Sequence, residues 1–201
     1  MSEYNVPDFG NITDIKVYGL DESIKRAKYP MSIDVNKPTT ELTKGIRALA
    51  QSGTGEGHDQ WLTGVLVQFD LRYTVKAWTE AERYTFLNFI SSQSTMHRIA
   101  KFDLDNQYIE YTDPRMIEIM KELVAKYNET NDPDDYLRVL YSNPCGFQLI
   151  AGMSTNYRQL KTIYQQRKNH RLPEWREFCQ WVRTLPMADD LIIKHQAGDN
   201  A

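Results

Sequence analysis

The sequence predicts an α+β fold, a mixed or antiparallel sheet with packed helices. Three observations carry this. Apolar and polar residues alternate from Val65 to Lys76, helix signals punctuated by Gly and Pro stand on both sides of that run, and 41% of the 201 residues are hydrophobic, enough for an ordinary core. Val65, Val67, Phe69, Leu71, Tyr73 and Val75 share one side of the alternation. Gln68, Asp70, Arg72, Thr74 and Lys76 take the other, which is the period of a half-buried strand. A long strand with one wet face belongs in an antiparallel or mixed sheet.

The remaining elements follow in chain order. Residues 1–14 read as a flexible lead-in, 15–193 as a single α/β domain, and 194–201, small and polar, as a flexible tail. Ile15, Val17 and Tyr18 make a short strand that Gly19 ends. Asp21 or Ser23 caps a short helix to Lys28, closed by Tyr29–Pro30. A helix from Thr40 to Gln51 buries Leu42, Ile46, Leu49 and Ala50. It stops in the glycine-rich stretch Ser52–Trp61, either a turn into the long strand or a phosphate-cradling loop that lacks the usual Gly-Lys-Ser/Thr ending. Beyond the strand, Thr79 and Glu82 have capping-box spacing and open a helix to about Ser91. Ser91 to Tyr108 is a polar loop or a binding wall.

Asp113–Pro114 starts a helix to Tyr127, since Asp caps and Pro suits the first helical position. Residues 128–135 form an acidic, solvated connection without the glycine and closing glutamate of a calcium loop. Tyr136 to Leu140 is helical until Asn143-Pro144-Cys145-Gly146 breaks it. Ser154, Thr155 and Asn156 are all good caps for a helix whose stripe is Leu160, Ile163 and Tyr164. Pro173 opens the next helix, Glu174 to Arg183, with Trp175, Phe178, Trp181 and Val182 inward.

A net charge of −3 and a pI near 5.8 disfavour nucleic acid and membrane surfaces as partners. Cys145 and Cys179 have no metal-ligand spacing, so no metal site is expected and both read as reduced thiols. No apolar run is long enough for a membrane span and no signal-peptide pattern opens the chain, so a soluble, cytoplasmic protein is expected. The helix after Ser154 carries the densest cationic and amide chemistry. Asn156 and Arg167 return to nearly one face about three turns apart, and a helix N-terminus offers N–H groups and partial positive charge to a phosphate. A solvated basic face explains the same residues.

The spacing Asn156, Arg158, Leu160, Arg167 resembles, without a gap, the C-terminal signature of the flavin-dependent thymidylate synthases. Gln93-Ser-Thr-Met-His97-Arg98-Ile99-Ala100 is similar to that family's central motif, Arg138-Val-Leu to a short upstream segment, and the Gly57–His58 turn before a long strand fits the family's order. The resemblance implies an enzyme that moves a one-carbon unit from methylenetetrahydrofolate to a pyrimidine deoxynucleotide such as dUMP, with FAD as cofactor and NADPH as reductant. It implies a homotetramer with active sites at subunit interfaces. By position, His97, Arg98, Ile99, Asn156 and Arg158 would contact the flavin. Gln93, Asn106, Arg138 and Arg167 would hold the nucleotide, with Arg167 also stabilising charge that builds on the uracil ring. The chain departs from the pattern at Met96, where the family has arginine, and at Asn106 and Tyr108, which replace a serine and an arginine. Leu104 falls where the family has glutamate and Gly64 where it has a flavin-touching histidine. These departures leave a second reading, a catalytically altered relative acting as a nucleotide-binding or regulatory module.

Overall fold

The computed structural model describes residues 3–53 and 55–193. Its strands are β1 (Glu3–Val6), β2 (Ile12–Tyr18), β3 (Leu66–Thr74), β4 (Asn88–Ser92) and β5 (Gln148–Asn156), in the spatial order β1-β2-β3-β5-β4. β2 runs antiparallel to both β1 and β3. β3 and β5 are antiparallel as well: Val75 N–H donates to Phe147 O at one end and Tyr157 N–H to Val65 O at the other. The helices are α1 (Leu20–Ala27), α2 (Lys44–Ala50), α3 (Val75–Ala81), α4 (Thr95–Arg98), α5 (Pro114–Thr130), α6 (Pro133–Ser142), α7 (Tyr157–Arg167), α8 (Pro173–Val182) and α9 (Ala188–Leu191). The architecture is thus the expected α+β class, with an antiparallel sheet.

The described residues form two compact units. One holds the residues up to Leu71, Tyr84–Ile90 and Gly152 onward; the other holds Arg72–Arg83 and Ser91–Ala151. The first unit is built on the predicted alternation. Val67, Phe69 and Leu71 of β3 are buried while Leu66 and Gln68 are exposed. Phe69 meets Trp181 of α8 at 4.6 Å between ring centroids, and Trp181 meets Phe178 at 4.9 Å. Leu160 and Ile163 of α7 are wholly buried, as the stripe required. Aromatic side chains of this size bury about 150–250 Å² each and dominate such a core.

The second unit packs Ile99, Leu104, Met120, Val139 and Phe147 into one cluster. Asp113 caps α5 by accepting Arg115 N–H at 3.0 Å, with Pro114 at the first helical position. Asp132 does the same for α6 by accepting Asp134 N–H at 2.7 Å. The connection expected over 128–135 therefore shrinks to a turn at Asn131, which takes the left-handed conformation, φ 52°, that asparagine tolerates better than most residues.

Several boundaries differ from expectation for identifiable reasons. The lead-in expected over 1–14 carries β1, whose residues pair with β2 from Glu3↔Tyr18 to Val6↔Ile15. The tail expected over 194–201 lies outside the described residues. The helix expected from Thr40 begins at Lys44, because Thr43 is the cap. The Thr79 capping box gives way to an earlier cap. Thr74, extended at the end of β3, accepts Ala77 N–H at 3.0 Å and opens α3, while the Thr79 hydroxyl donates to Lys76 O inside that helix. The chain is then free to form β4, which the sequence reading had placed in a helix. Among the described residues no helix is long and apolar enough to cross a membrane.

Candidate functional site

Three adjacent residues compete to cap α7, and Asn156 wins. It is extended, φ −141° and ψ 165°, and its Oδ1 accepts Gln159 N–H at 3.0 Å. Ser154 and Thr155 remain in β5. Tyr157, at the first helical position, donates its own N–H to Val65 O at 3.0 Å and its buried hydroxyl to Pro186 O at 2.8 Å. Two of the first three N–H groups of α7 are thus already taken, so most of the positive potential must come from side chains rather than from the helix end.

Those side chains meet at Asp59. The lysine in α7, Lys161, is 4% exposed, and its Nζ donates to Ala50 O at 2.7 Å, Ser52 O at 2.8 Å and Asp59 Oδ2 at 2.9 Å. Arg158 Nε donates to the other carboxylate oxygen, Asp59 Oδ1, at 2.9 Å, and its Nη1 to Gln60 Oε1 at 2.9 Å. A buried ion pair is tolerable only when each charge is compensated and hydrogen bonded, and here both oxygens and the ammonium are engaged. Burial pulls the Asp59 carboxyl upward. The hydrogen bonds and charges of Lys161 and then Arg158 outweigh it and hold the group below the ordinary carboxylate value.

That direction fixes a pH dependence. A folded-state pKa below the unfolded one contributes stability that is complete above the unfolded value, about 3.9 for Asp, and is lost as pH falls through the folded value. Denaturant melts between pH 7 and pH 3 are therefore expected to lose stability below about pH 4. Asp59→Asn should flatten that part of the profile; an unchanged slope would show that Asp59 does not contribute to it.

Arg158, Asn156 and Lys161 border a cavity of about 330 Å³. Asp59, Gln60 and Thr63 from the turn after α2 form one wall, Gln159, Thr162 and Gln165 from α7 another, and Phe86 adds an aromatic edge. Arg167 does not line this cavity. Its Nε donates to Tyr84 Oη at 2.7 Å, and its guanidinium lies 5.4 Å from the Tyr84 ring centroid and 4.8 Å from that of Trp175. The residue expected at the far end of a long ligand is thus a stacked bridge between α7, Tyr84 and α8.

The other expected residues lie in the second unit. Gln93 ties to β5 twice: its N–H donates to Ile150 O and its Oε1 accepts Ile150 N–H, both at 2.9 Å. His97 and Arg98 are exposed on the short α4, and Met96 between them and Gln93 is 59% exposed. Ile99, expected to contact the flavin, has its side chain fully buried in that unit's core. Asn106 Nδ2 donates to Asp103 at 2.8 Å, and Arg138 Nη1 donates to Asp135 at 2.6 Å. Tyr108 packs edge-on to Phe147 and donates to Asn143 Oδ1 at 2.9 Å, with burial pushing its hydroxyl up to about 12. Among the expected residues, Asn156 and Arg158 line this cavity together.

Lys161 and Asp59 escaped the sequence reading. The signal was present: Lys161 stands four residues after Tyr157 and three before Tyr164, on the buried face of its own helix, and a lysine there requires an anionic partner.

This antiparallel five-stranded sheet with its helices has the α+β fold of solved flavin-dependent thymidylate synthase structures and of a UMP/dUMP methylase. One solved structure with this fold is the flavin-dependent thymidylate synthase of Helicobacter pylori complexed with FAD and dUMP, at 13% identity and TM-score 0.68 over 95% of this chain and 98% of that one. A second structure of the Helicobacter pylori enzyme with FAD and dUMP gives 14% and 0.69 over 88% and 93%. The UMP/dUMP methylase PolB of Streptomyces cacaoi, bound with 5-Br dUMP, gives 16% and 0.61 over 89% and 94%. No protein-family profile and no curated protein matches the sequence. At these identities the likeness establishes the fold.

Proposed function

We propose that the protein is a FAD-dependent enzyme that transfers a one-carbon unit, methyl or hydroxymethyl, from methylenetetrahydrofolate to a pyrimidine deoxynucleotide such as dUMP, with NADPH as reductant. The observation that carries this reading is the cavity at the start of α7: Asn156 and Arg158, the two residues given to the flavin by the sequence resemblance, line it together. The donor set fits a flavin dinucleotide. Two cations around one carboxylate leave a net single positive charge, suited to a diphosphate. Amide side chains and the edge of Phe86 suit a heteroaromatic ring. A volume of about 330 Å³ holds part of such a ligand. In the proposed homotetramer, neighbouring subunits enclose the rest.

When bound, FAD supplies the hydride chemistry. The chain's own residues bind and orient. Arg158 neutralises phosphate charge, and Asn156, whose Oδ1 is used by the cap, presents its amide N–H groups. The resemblance also gives His97 and Arg98 to the flavin. It gives Gln93, Asn106, Arg138 and Arg167 to the nucleotide, with Arg167 in the role of stabilising charge on the uracil oxygens. The enzyme works in the cytoplasm.

The purified protein is expected to be yellow, or to take up added FAD with a change in flavin absorbance, and dUMP should perturb that spectrum. A colourless protein that leaves FAD fluorescence unaltered would overturn the reading. Two observations favour a second function, a nucleotide-binding regulatory module: Met96, 59% exposed, stands where the resembled motif has a cation, and Arg138 is paired with Asp135. Nucleotide binding without turnover in the presence of FAD, NADPH and methylenetetrahydrofolate would select it.

A further inference from the structure

One side chain ties together the two ends of the glycine-rich stretch after α2. Lys161 Nζ holds Ala50 O and Ser52 O on the outgoing side and the Asp59 carboxylate on the returning side. The intervening Gly55 and Gly57 adopt φ +94° and +78°, with nothing within 4 Å of the place a Cβ would occupy. Glycine is needed there for conformation alone. The neck, by contrast, is buried: Asp59 and Lys161 are each 4% exposed.

The ammonium's three donors are committed to these acceptors, so Lys161 has none left to give a ligand. What it fixes is Asp59, and Asp59 in turn receives Arg158 Nε, while Gln60, the next residue, receives Arg158 Nη1. Arg158 is about one third exposed at its side chain. A guanidinium on a flexible stem loses less on binding an anion when its orientation is already set.

We infer that Lys161 and Asp59 are positioning residues, a closed neck that holds the Arg158 guanidinium at the cavity wall in the orientation that receives the flavin's diphosphate. This rests on the proposed FAD site and adds how its cation is aimed. The alternative physical account is charge alone, in which Asp59 merely reduces the site's attraction for anions. The two accounts predict opposite signs. Removing the carboxylate raises the local charge from one to two positives, which strengthens anion binding if charge decides and weakens it if aim decides.

The test compares FAD affinity, read from flavin fluorescence, in the full-length wild type, Asp59→Asn and Asp59→Glu, with circular dichroism to verify folding. Asp59→Asn is expected to weaken FAD binding about tenfold, the scale of one charge-assisted hydrogen bond. Asp59→Glu, which restores the carboxylate, should recover part of the loss. Equal or tighter binding by Asp59→Asn overturns the inference and leaves the FAD reading standing; failure of the wild type to bind FAD overturns that reading itself. If Asp59→Asn does not fold, the exposed Gln60→Ala carries the test. It removes Arg158's second acceptor while leaving both charges of the neck in place, and is expected to weaken binding several-fold with an unchanged melting temperature. Unchanged affinity in that variant overturns the inference.

Discussion

Lys161→Met is expected to destabilise the protein by about 3–5 kcal/mol, the cost of removing one partner from a buried ion pair. The methionine replaces the aliphatic stem with little change in volume, so the loss isolates the ammonium. Three acceptors lose their donor at once: Ala50 O, Ser52 O and Asp59 Oδ2. Arg158 remains on the other carboxylate oxygen, but it is partly exposed and cannot repair the backbone carbonyls. For a chain of this length each kcal/mol shifts the melting temperature by about 2–4 °C. A fall of roughly 6–20 °C is therefore expected, measured by thermal melts and urea titration. A shift below about 2 °C would show that water replaces the ammonium at no cost, and the neck would not be a stabilising element.

Arg167→Ala is expected to cost about 1–3 kcal/mol through lost stacking and a lost hydrogen bond. The resemblance cast this residue as a ligand arginine, whose removal leaves the fold untouched. The structure gives its guanidinium two aromatic faces and the Tyr84 hydroxyl. Arg167→Lys should recover less than half of the loss, because an ammonium has neither the planar face nor the fork. Stability and dUMP binding, measured in the same variants, separate the roles. A normal melting temperature with abolished nucleotide binding would assign Arg167 to the ligand alone.

Much of the fold was legible because it depends on local period and local caps. The Val65–Val75 alternation became β3, and the inward set Trp175, Phe178, Trp181 and Val182 is wholly buried. Asp113–Pro114 capped α5 as its chemistry required. What local reading could not decide was competition between nearby signals. Thr74 and Thr79 are both competent caps, and the choice was made by where β3 ends. β4 has no buried residue, so it lacks the alternation that announces a strand. β1 owes its existence to pairing with β2.

The candidate site was legible in a different way. Motif spacing located Asn156 and Arg158 in one cavity, but spacing carries no information about which charge is already spent. Arg138 on Asp135, Asn106 on Asp103 and Arg167 on two aromatic rings are all engaged within the chain. Lys161 was invisible to the motif, and only the cost of burying a lone ammonium could have led to it.

The closed neck below the glycine-rich stretch also has a practical meaning for altering this chain. Because entry and exit are fixed to one ammonium, the number of residues between Ser52 and Asp59 is set independently of the cavity wall. Lengthening a closed loop costs only about 0.6 kcal/mol per doubling. The segment is thus a natural insertion point, where a tag or reporter peptide can be carried while Arg158 keeps its two acceptors.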